Sequence, residues 1–274
     1  MRQRWGVTVS ALVVGIWIGT LGVQAAAGFA SPVIEAAWTQ AEQVQPNFWG
    51  PLATARDGQP EAYKEAPGGK RFVQYFDKAR MEQSDPNARV TTGLLTVELK
   101  SGKLQLGDST FEQHSPAQVN MAGDPGSGGP TYADLGTLHE SYEINDATPA
   151  LYGFNSDHTF HALTRAEENQ YASFNPPSGP AVGSLADPSG RYSQLVYFPF
   201  LDFIDGLTKA GIPIDQTPGY AISPIIVATV PIGGKPTTVF IQAFERRVLT
   251  YNPNNDPAFR VEFGNIGQHY YKWR

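Results

Sequence analysis

The chain carries one pattern twice. Gly68-Gly69-Lys70 leads into Val73-Gln74-Tyr75-Phe76-Asp77-Lys78-Ala79-Arg80-Met81, and Gly233-Gly234-Lys235 leads into Ile241-Gln242-Ala243-Phe244-Glu245-Arg246-Arg247-Val248-Leu249. With Val73 set on Ile241, Gln and Phe are identical, and Val/Ile, Asp/Glu, Lys/Arg and Met/Leu keep size or charge. Each copy then passes through Asp85-Pro86-Asn87 or Asn252-Pro253-Asn254 to a glycine followed by apolar residues, Gly93-Leu94-Leu95 and Gly264-Asn265-Ile266. Ordered recurrence implies a recurring structural unit, and a duplicated unit more often presents a surface than carries out a reaction.

The expected fold is α+β and strand-dominated: two similar helix-plus-antiparallel-sheet units joined by a long loop-rich connection. The first unit covers residues 32–107, the connection 108–192 and the second unit 193–274. A helix over Pro32 to Gln45 follows from Ile34, Ala37, Trp38 and Ala41 at helical spacing behind the Ser31-Pro32 start. Arg71 to Met81 reads as two strands around Asp77-Lys78, and Thr91 to Glu98 with Lys103 to Leu106 as a hairpin through Ser101-Gly102. In the second unit, Phe200, Phe203, Ile204 and Leu207 share a helix face, and strands are expected at Ile225–Val230, Thr238–Ala243, Arg247–Tyr251 and Arg260–Phe263. A chain with 17% charged residues, 28 Gly and 22 Pro fits such a turn-rich build. The connection alternates Gly- and Pro-rich stretches with aromatic residues, the texture of an ordered loop region packed on a body.

The first residues, Met1-Arg2-Gln3-Arg4, precede an apolar run from Trp5 to Val23 and the small residues Ala25-Ala26-Ala27. These are the parts of a secretory signal over residues 1–25, with an uncleaved membrane anchor as the alternative. A net charge of −6 argues against nucleic acid, whose phosphates require a basic face. The chain has no cysteine, which excludes a disulfide, a thiol nucleophile and any thiolate metal site.

No catalytic set emerges. Gly123-Asp124-Pro125-Gly126-Ser127-Gly128-Gly129-Pro130 resembles the nucleophile loop of chymotrypsin-like proteases, but Pro125 and Gly126 are inserted where the oxyanion-hole geometry tolerates nothing, and the upstream partners are missing. His114, His139, His158, His161 and His269 show no spacing that specifies a metal, so no metal or cofactor is expected. Carboxylates such as Glu98, Asp108, Glu112, Glu140 and Glu143 are plentiful, but a glycosidase needs two at a defined separation, which spacing along the chain does not supply. Asp77-Lys78 and Glu245-Arg246 read as exposed turn charges. The aromatic end, His269-Tyr270-Tyr271-Lys272-Trp273-Arg274, reads as a last strand; Tyr270, Tyr271 and Trp273 are its candidate ligand contacts, with Tyr271 and Trp273 on one face.

Several segments carry a resemblance: Phe48-Trp49-Gly50-Pro51, Val73 to Glu82, Gly107-Asp108, Pro130 to Ala133, Phe244 to Pro253 and Gly264 to Tyr271 resemble a family of secreted bacterial proteins with two internal repeats. The repeat unit is more distantly similar to the LGFP repeat of bacterial cell-wall-associated proteins, through Gly219 to Ile222, Phe244, Tyr251-Asn252-Pro253 and Val261 to Ile266. That resemblance implies an address and no activity. The expectation is a secreted, non-catalytic protein at the cell surface, with a cell-wall polymer or a surface protein as partner and the membrane met only through the N-terminal segment. The alternatives are a secreted hydrolase with a carboxylate-based site and a purely structural protein–protein module.

Overall fold

The computed structural model describes residues 28–85, 87–138, 151–171, 182–185, 187–190 and 194–274. The signal segment at 1–25, His139, Glu140 and Glu143 lie outside the described residues. Among the described residues, no helix is long and apolar enough to cross a membrane.

The fold is α+β with sheet-containing units. The first unit runs α1 (Pro32–Val44), β1 (Gln59–Ala62), β2 (Lys70–Phe76), β3 (Ala79–Gln83), β4 (Thr91–Thr92) and α2 (Leu95–Ser101), with its four strands forming an antiparallel sheet in chain order. The connection contributes a small hairpin, β5 (Lys103–Gln105) with β6 (Phe111–Gln113), a second hairpin, β7 (Leu151–Phe154) with β8 (Phe160–Ala162), then α3 (Arg165–Gln170) and β9 (Val182–Ser184). The second unit pairs β10 (Leu195–Tyr197) with β9 and continues as α4 (Phe198–Lys209), β11 (Ile225–Ile232), β12 (Lys235–Ala243), β13 (Val248–Tyr251), β14 (Val261–Phe263) and α5 (Ile266–Trp273). Strands β11 to β14 form an antiparallel sheet that β7 extends in parallel beside β11.

The two units therefore share one order, helix, four strands, helix, and they share register. Tyr75 faces Arg80 and Met81 faces Thr92 in one; Ala243 faces Val248 and Leu249 faces Phe263 in the other. Both terminal helices open from the same backbone shape, Leu94 at φ −77°, ψ 53° and Asn265 at φ −80°, ψ 46°.

The identical Gln and Phe have equivalent work. Gln74 and Gln242 are fully buried. The Gln74 amide accepts from Ala30 N–H at 2.9 Å and donates to Gly28 C=O at 3.0 Å, just before α1. Gln242 accepts from Tyr197 N–H at 3.1 Å and donates to the Leu195 and Ser223 carbonyls, just before α4. Each amide satisfies backbone groups that would otherwise be orphaned in the interior. Phe76 and Phe244 are both core residues.

Alternation along the strands gives the two larger sheets buried residues on both faces. One apolar cluster joins α1 and α4 with Phe76, Met81, Phe240, Phe244, Leu249 and Phe263. The other joins α2 and α5 with Val73, Tyr75, Ile241, Ala243 and Val248. Sheets thus lie between two helical layers.

The units are interlocked by exchange. Val97 N–H at the start of α2 donates to Glu245 C=O, in the turn of the second unit, at 3.4 Å. Gln268 N–H at the start of α5 donates to Asp77 C=O, in the turn of the first, at 3.2 Å. Helix N-termini need acceptors and carry partial positive charge, so each terminal helix finds its partner in the other unit's hairpin. From the opposite side, Lys78 N–H donates to Trp49 C=O and Arg246 N–H to Pro218 C=O, both at 3.1 Å. The following Gly50 (φ 92°) and Gly219 (φ 79°) hold left-handed backbone where a Cβ would meet Asp77 or Glu245 within 2.7 Å, so only glycine fits.

Three expectations are corrected here. Residues 95–101 form α2, not the strand of a hairpin with 103–106. The segment 269–274 lies in and after helix α5, not in a strand, so Tyr271 and Trp273 do not share a strand face. Asp77, Lys78 and Glu245 are buried because their turns are covered by the opposite unit, not exposed turn charges.

Candidate functional groove

Equivalent positions in the two units carry opposite chemistry on the face toward α2 and α5. In the first unit that face holds Glu61, Arg71, Tyr75, Arg80 and Glu82; in the second the same register positions are Ala228, Val239, Ala243, Val248 and Thr250. The large charged set fills its space. Arg80 is fully buried against Glu82 and Glu98, with its guanidinium 4.6 Å from the Tyr270 ring centre. Arg71 pairs with Glu82 at 2.8 Å, and Arg274 pairs with Glu61. Burial disfavours the Arg80 charge, but Glu82, Tyr270 and Glu98 outweigh it and hold the guanidinium firmly protonated. Burial raises the Glu98 carboxyl, even though it takes the Tyr270 hydroxyl and Gln105 N–H at 2.9 Å. Three cations and three carboxylates compensate one another beneath two helices, an arrangement that ties the chain end to the first unit.

In the second unit, the smaller side chains accompany an open groove of about 660 Å³. Val239 and Thr250 line it where Arg71 and Glu82 stand in the first unit, and His269 lines it where Glu98 stands. The loop from Gln118 to Gly126, the edge strand β14, its neighbour β13 and helix α5 enclose it. A cavity of this size suits a small molecule or a few units of a chain polymer.

The loop is fastened to the sheet. Asp124 accepts from Gly233 N–H at 2.9 Å and Gly234 N–H at 2.8 Å, one on each carboxylate oxygen, and its own N–H donates to Pro231 C=O at 2.7 Å. With its amide oxygen turned toward the loop, Asn120 accepts from Ser127 and Gly129 N–H at 3.2 Å. Ser127, the serine of the protease-like motif, thus partners Asn120 in a loop-stabilising contact.

His269 lies in the wall with Nδ1 2.9 Å from the Tyr132 hydroxyl. Burial, aided by Lys272, pushes its pKa down to about 4, so the imidazole is neutral near pH 7. Burial raises the Tyr132 phenol. Glu262 meets the Asn255 amide at 3.3 Å, and Asn252 is held within its turn by Asn254 and Asn255. Lys78 reaches the groove from the opposite unit's hairpin. Its pKa is lowered by burial and by Arg247, against the pull of Glu262. Arg247 stands behind the wall, its guanidinium 4.3 to 4.6 Å from the ring centres of Phe48, Trp49 and Phe263. Burial pushes it down to about 9, which leaves it charged at neutral pH.

The three aromatic candidates do not converge. Tyr270 is fully buried between Arg80 and Glu98, which removes it as a surface contact. Tyr271 is 39% exposed and packs edge-on against Tyr75, under the Arg56 guanidinium. Trp273 packs against His114 and donates to Ser115 C=O at 2.8 Å. None of the three lines the groove; their neighbours Gln268, His269 and Lys272 do. Read as a helix, the same segment separates these two sets by face, which is the signal that the strand reading hid.

The other histidines stand apart. His158 bonds Asp134 at 2.9 Å, and His161 packs over Gly153. Among the described residues, no group of three His, Asp or Glu is placed to hold a metal ion. No family model, curated protein or solved structure matches the chain.

Proposed function

We propose that this is an exported, non-catalytic protein that associates with the cell surface by binding an envelope polymer in the groove beside β13, β14 and α5. The carrying observation is an open groove, about 660 Å³, lined by amides and long polar side chains: Asn47, Gln118, Asn265, Gln268, Lys78 and Lys272. Such groups suit a hydroxyl-rich chain, which needs many moderate hydrogen bonds along an open cleft. Export rests on the apolar run behind Arg2 and Arg4.

The test is co-sedimentation of the full chain with purified bacterial cell walls. Replacing Gln118 and Asn265 by Ala should weaken binding about tenfold or more at unchanged melting temperature, at ~1 kcal/mol for each lost hydrogen bond. Tyr271→Ala should bind like wild type. Wall binding lost in Tyr271→Ala but kept in the Gln118/Asn265 variant would refute the groove as the seat.

A hydrolase is the second reading, because Asp124, Glu262 and His269 line the same groove. Against it stands the commitment of both Asp124 oxygens to backbone N–H groups. Release of reducing ends from cell walls, abolished by Glu262→Gln, would establish the hydrolase instead.

A further inference from the structure

Lys78 is the unusual member of the groove lining. Its side chain comes from the β2–β3 turn of the first unit, is more than nine-tenths buried, and still lines the groove of the second. Every carboxylate acting on it is engaged elsewhere. Glu42 accepts from Asn47 N–H at 2.6 Å and Trp49 N–H at 2.8 Å, Asp77 from the Gln268 amide at 2.6 Å, and Glu262 from Asn255. None of them lies within ion-pair distance of the Lys78 ammonium. Arg247, a second buried cation, adds to the local positive field, and its Nε and Nη2 have no partner. Lys272 adds a third cation on the rim. Among the described residues the Lys78 ammonium has no ion-pair partner and reaches solvent in the groove, so an anion arriving there would supply the missing partner. Asp124 and Glu262 also line the groove, and Asp124 turns both of its oxygens to the Gly233 and Gly234 N–H groups.

We infer that the groove takes an anionic group, a phosphate or a carboxylate borne by its ligand, and that Lys78 is the residue that engages it. This rests on the groove being the ligand site and names the ligand's charge class. The turn between β2 and β3 then has two roles. Its backbone accepts helix α5, and its side chain carries one unit's charge into the other unit's groove.

The experiment is calorimetric titration of the full chain with three probes: poly(glycerol phosphate), polygalacturonate and neutral dextran. One anionic polymer is expected to bind at least about tenfold more tightly than dextran, and the one that does identifies phosphate or carboxylate as the source. Lys78→Met should reduce that affinity about 10- to 100-fold, the range for losing a hydrogen bond to a charged group. Lys78→Arg should recover most of it, and Lys272→Gln should cost less. Equal affinity for dextran and the anionic polymers, unchanged in Lys78→Met, would overturn the anion inference and leave the polymer-binding reading standing. Failure of all three probes and of purified cell walls would overturn both. Should Lys78→Met not fold, the salt dependence of the wild type decides: affinity that does not fall between 50 and about 200 mM salt refutes an ion pair.

Discussion

Two glycines within helices make opposite predictions on replacement by alanine. Gly206, in α4, is exposed, and a Cβ there would touch nothing within 4 Å. Gly206→Ala gains helix propensity and should stabilise by up to about 1 kcal/mol. Gly267, in α5, is buried where that helix meets the first unit's hairpin, and a Cβ there would lie 2.5 Å from Ala79 C=O and closer still to Phe76 C=O. Both atoms are backbone, so relief requires the helix to withdraw by about 1 Å, given ordinary carbon–oxygen contacts. Withdrawal breaks the Gln268 N–H bond to Asp77 C=O and the 2.6 Å amide bond to the Asp77 carboxylate, and loosens Tyr270 over Arg80. Two hydrogen bonds at ~1 kcal/mol each, with overpacking of ~1 to 3 kcal/mol, exceed the propensity gain. Gly267→Ala should therefore destabilise by ~2 to 4 kcal/mol. Thermal unfolding of the full chain would show a rise of about 2–4 °C for Gly206→Ala and a fall of about 5–15 °C for Gly267→Ala. A melting temperature for Gly267→Ala equal to or above wild type would refute the interlocked docking.

Gln74→Leu and Gln242→Leu should both destabilise, at about 1–3 kcal/mol for each buried backbone group left unpaired. Gln242 serves three such groups and Gln74 two, so urea unfolding should show the larger loss for Gln242; no loss in either would reject the pinning role. His269 has a pKa of about 4 in the fold against an ordinary value near 6.5, so the unfolded chain takes up the proton first. Its contribution is full above the ordinary value and lost as pH falls toward 4, about 3 kcal/mol at most, and wild type minus His269→Gln stability measured from pH 7.5 to 4 should trace that loss; a flat difference would contradict it. Arg80→Val should cost ~3 to 5 kcal/mol by stranding Glu82 and Glu98, whereas Arg80→Val with Glu82→Thr, the residues of the second unit, should recover part of it; strictly additive losses in a double-mutant cycle would deny the coupling.

Much of the frame was legible because local and tertiary signals agreed. Ser31 caps α1 and Pro32 starts it, as their types require, and Phe200, Ile204 and Leu207 bury the expected face of α4. The second unit's strands emerged from β-branched runs between glycines. Disagreement came where the other unit decides the outcome. Thr96 and Val97 favour strand by type, yet they open α2 because its N-terminus finds the Glu245 carbonyl across the molecule. The aromatic alternation at 270–273 imitates a strand, while Ile266, Gly267 and Tyr270 mark the buried face of a helix. Asp77 and Lys78 have the composition of a solvent-facing turn, and only the docking of α5 puts them inside. The groove was hidden for a related reason: its walls come from residues 47, 78, 118–126, 232, 239, 250, 252, 262–265, 268, 269 and 272, which no local window brings together.

The comparison between units supplies a logic for the site that neither unit would show alone. Both contain the same hairpin, the same buried Gln and Phe and the same glycine-led helix, so differences between them are not demanded by the frame. In the first unit, the α2/α5 face carries Arg71, Tyr75, Arg80 and Glu82, which fill it and fasten Tyr270 and Arg274. In the second, Val239, Ala243, Val248 and Thr250 occupy those positions, and an open groove receives Lys78 from across the interface. One unit closes its face with compensated charge while the other leaves space and receives a cation without an ion pair. Stability alone would favour filling both faces, since an open polar groove forgoes packing and covering most of a lysine side chain without pairing its ammonium adds cost. Local departures from the stabilising choice are where function is expected. Here, two such departures, the missing bulk and the unpaired Lys78, meet in the same groove.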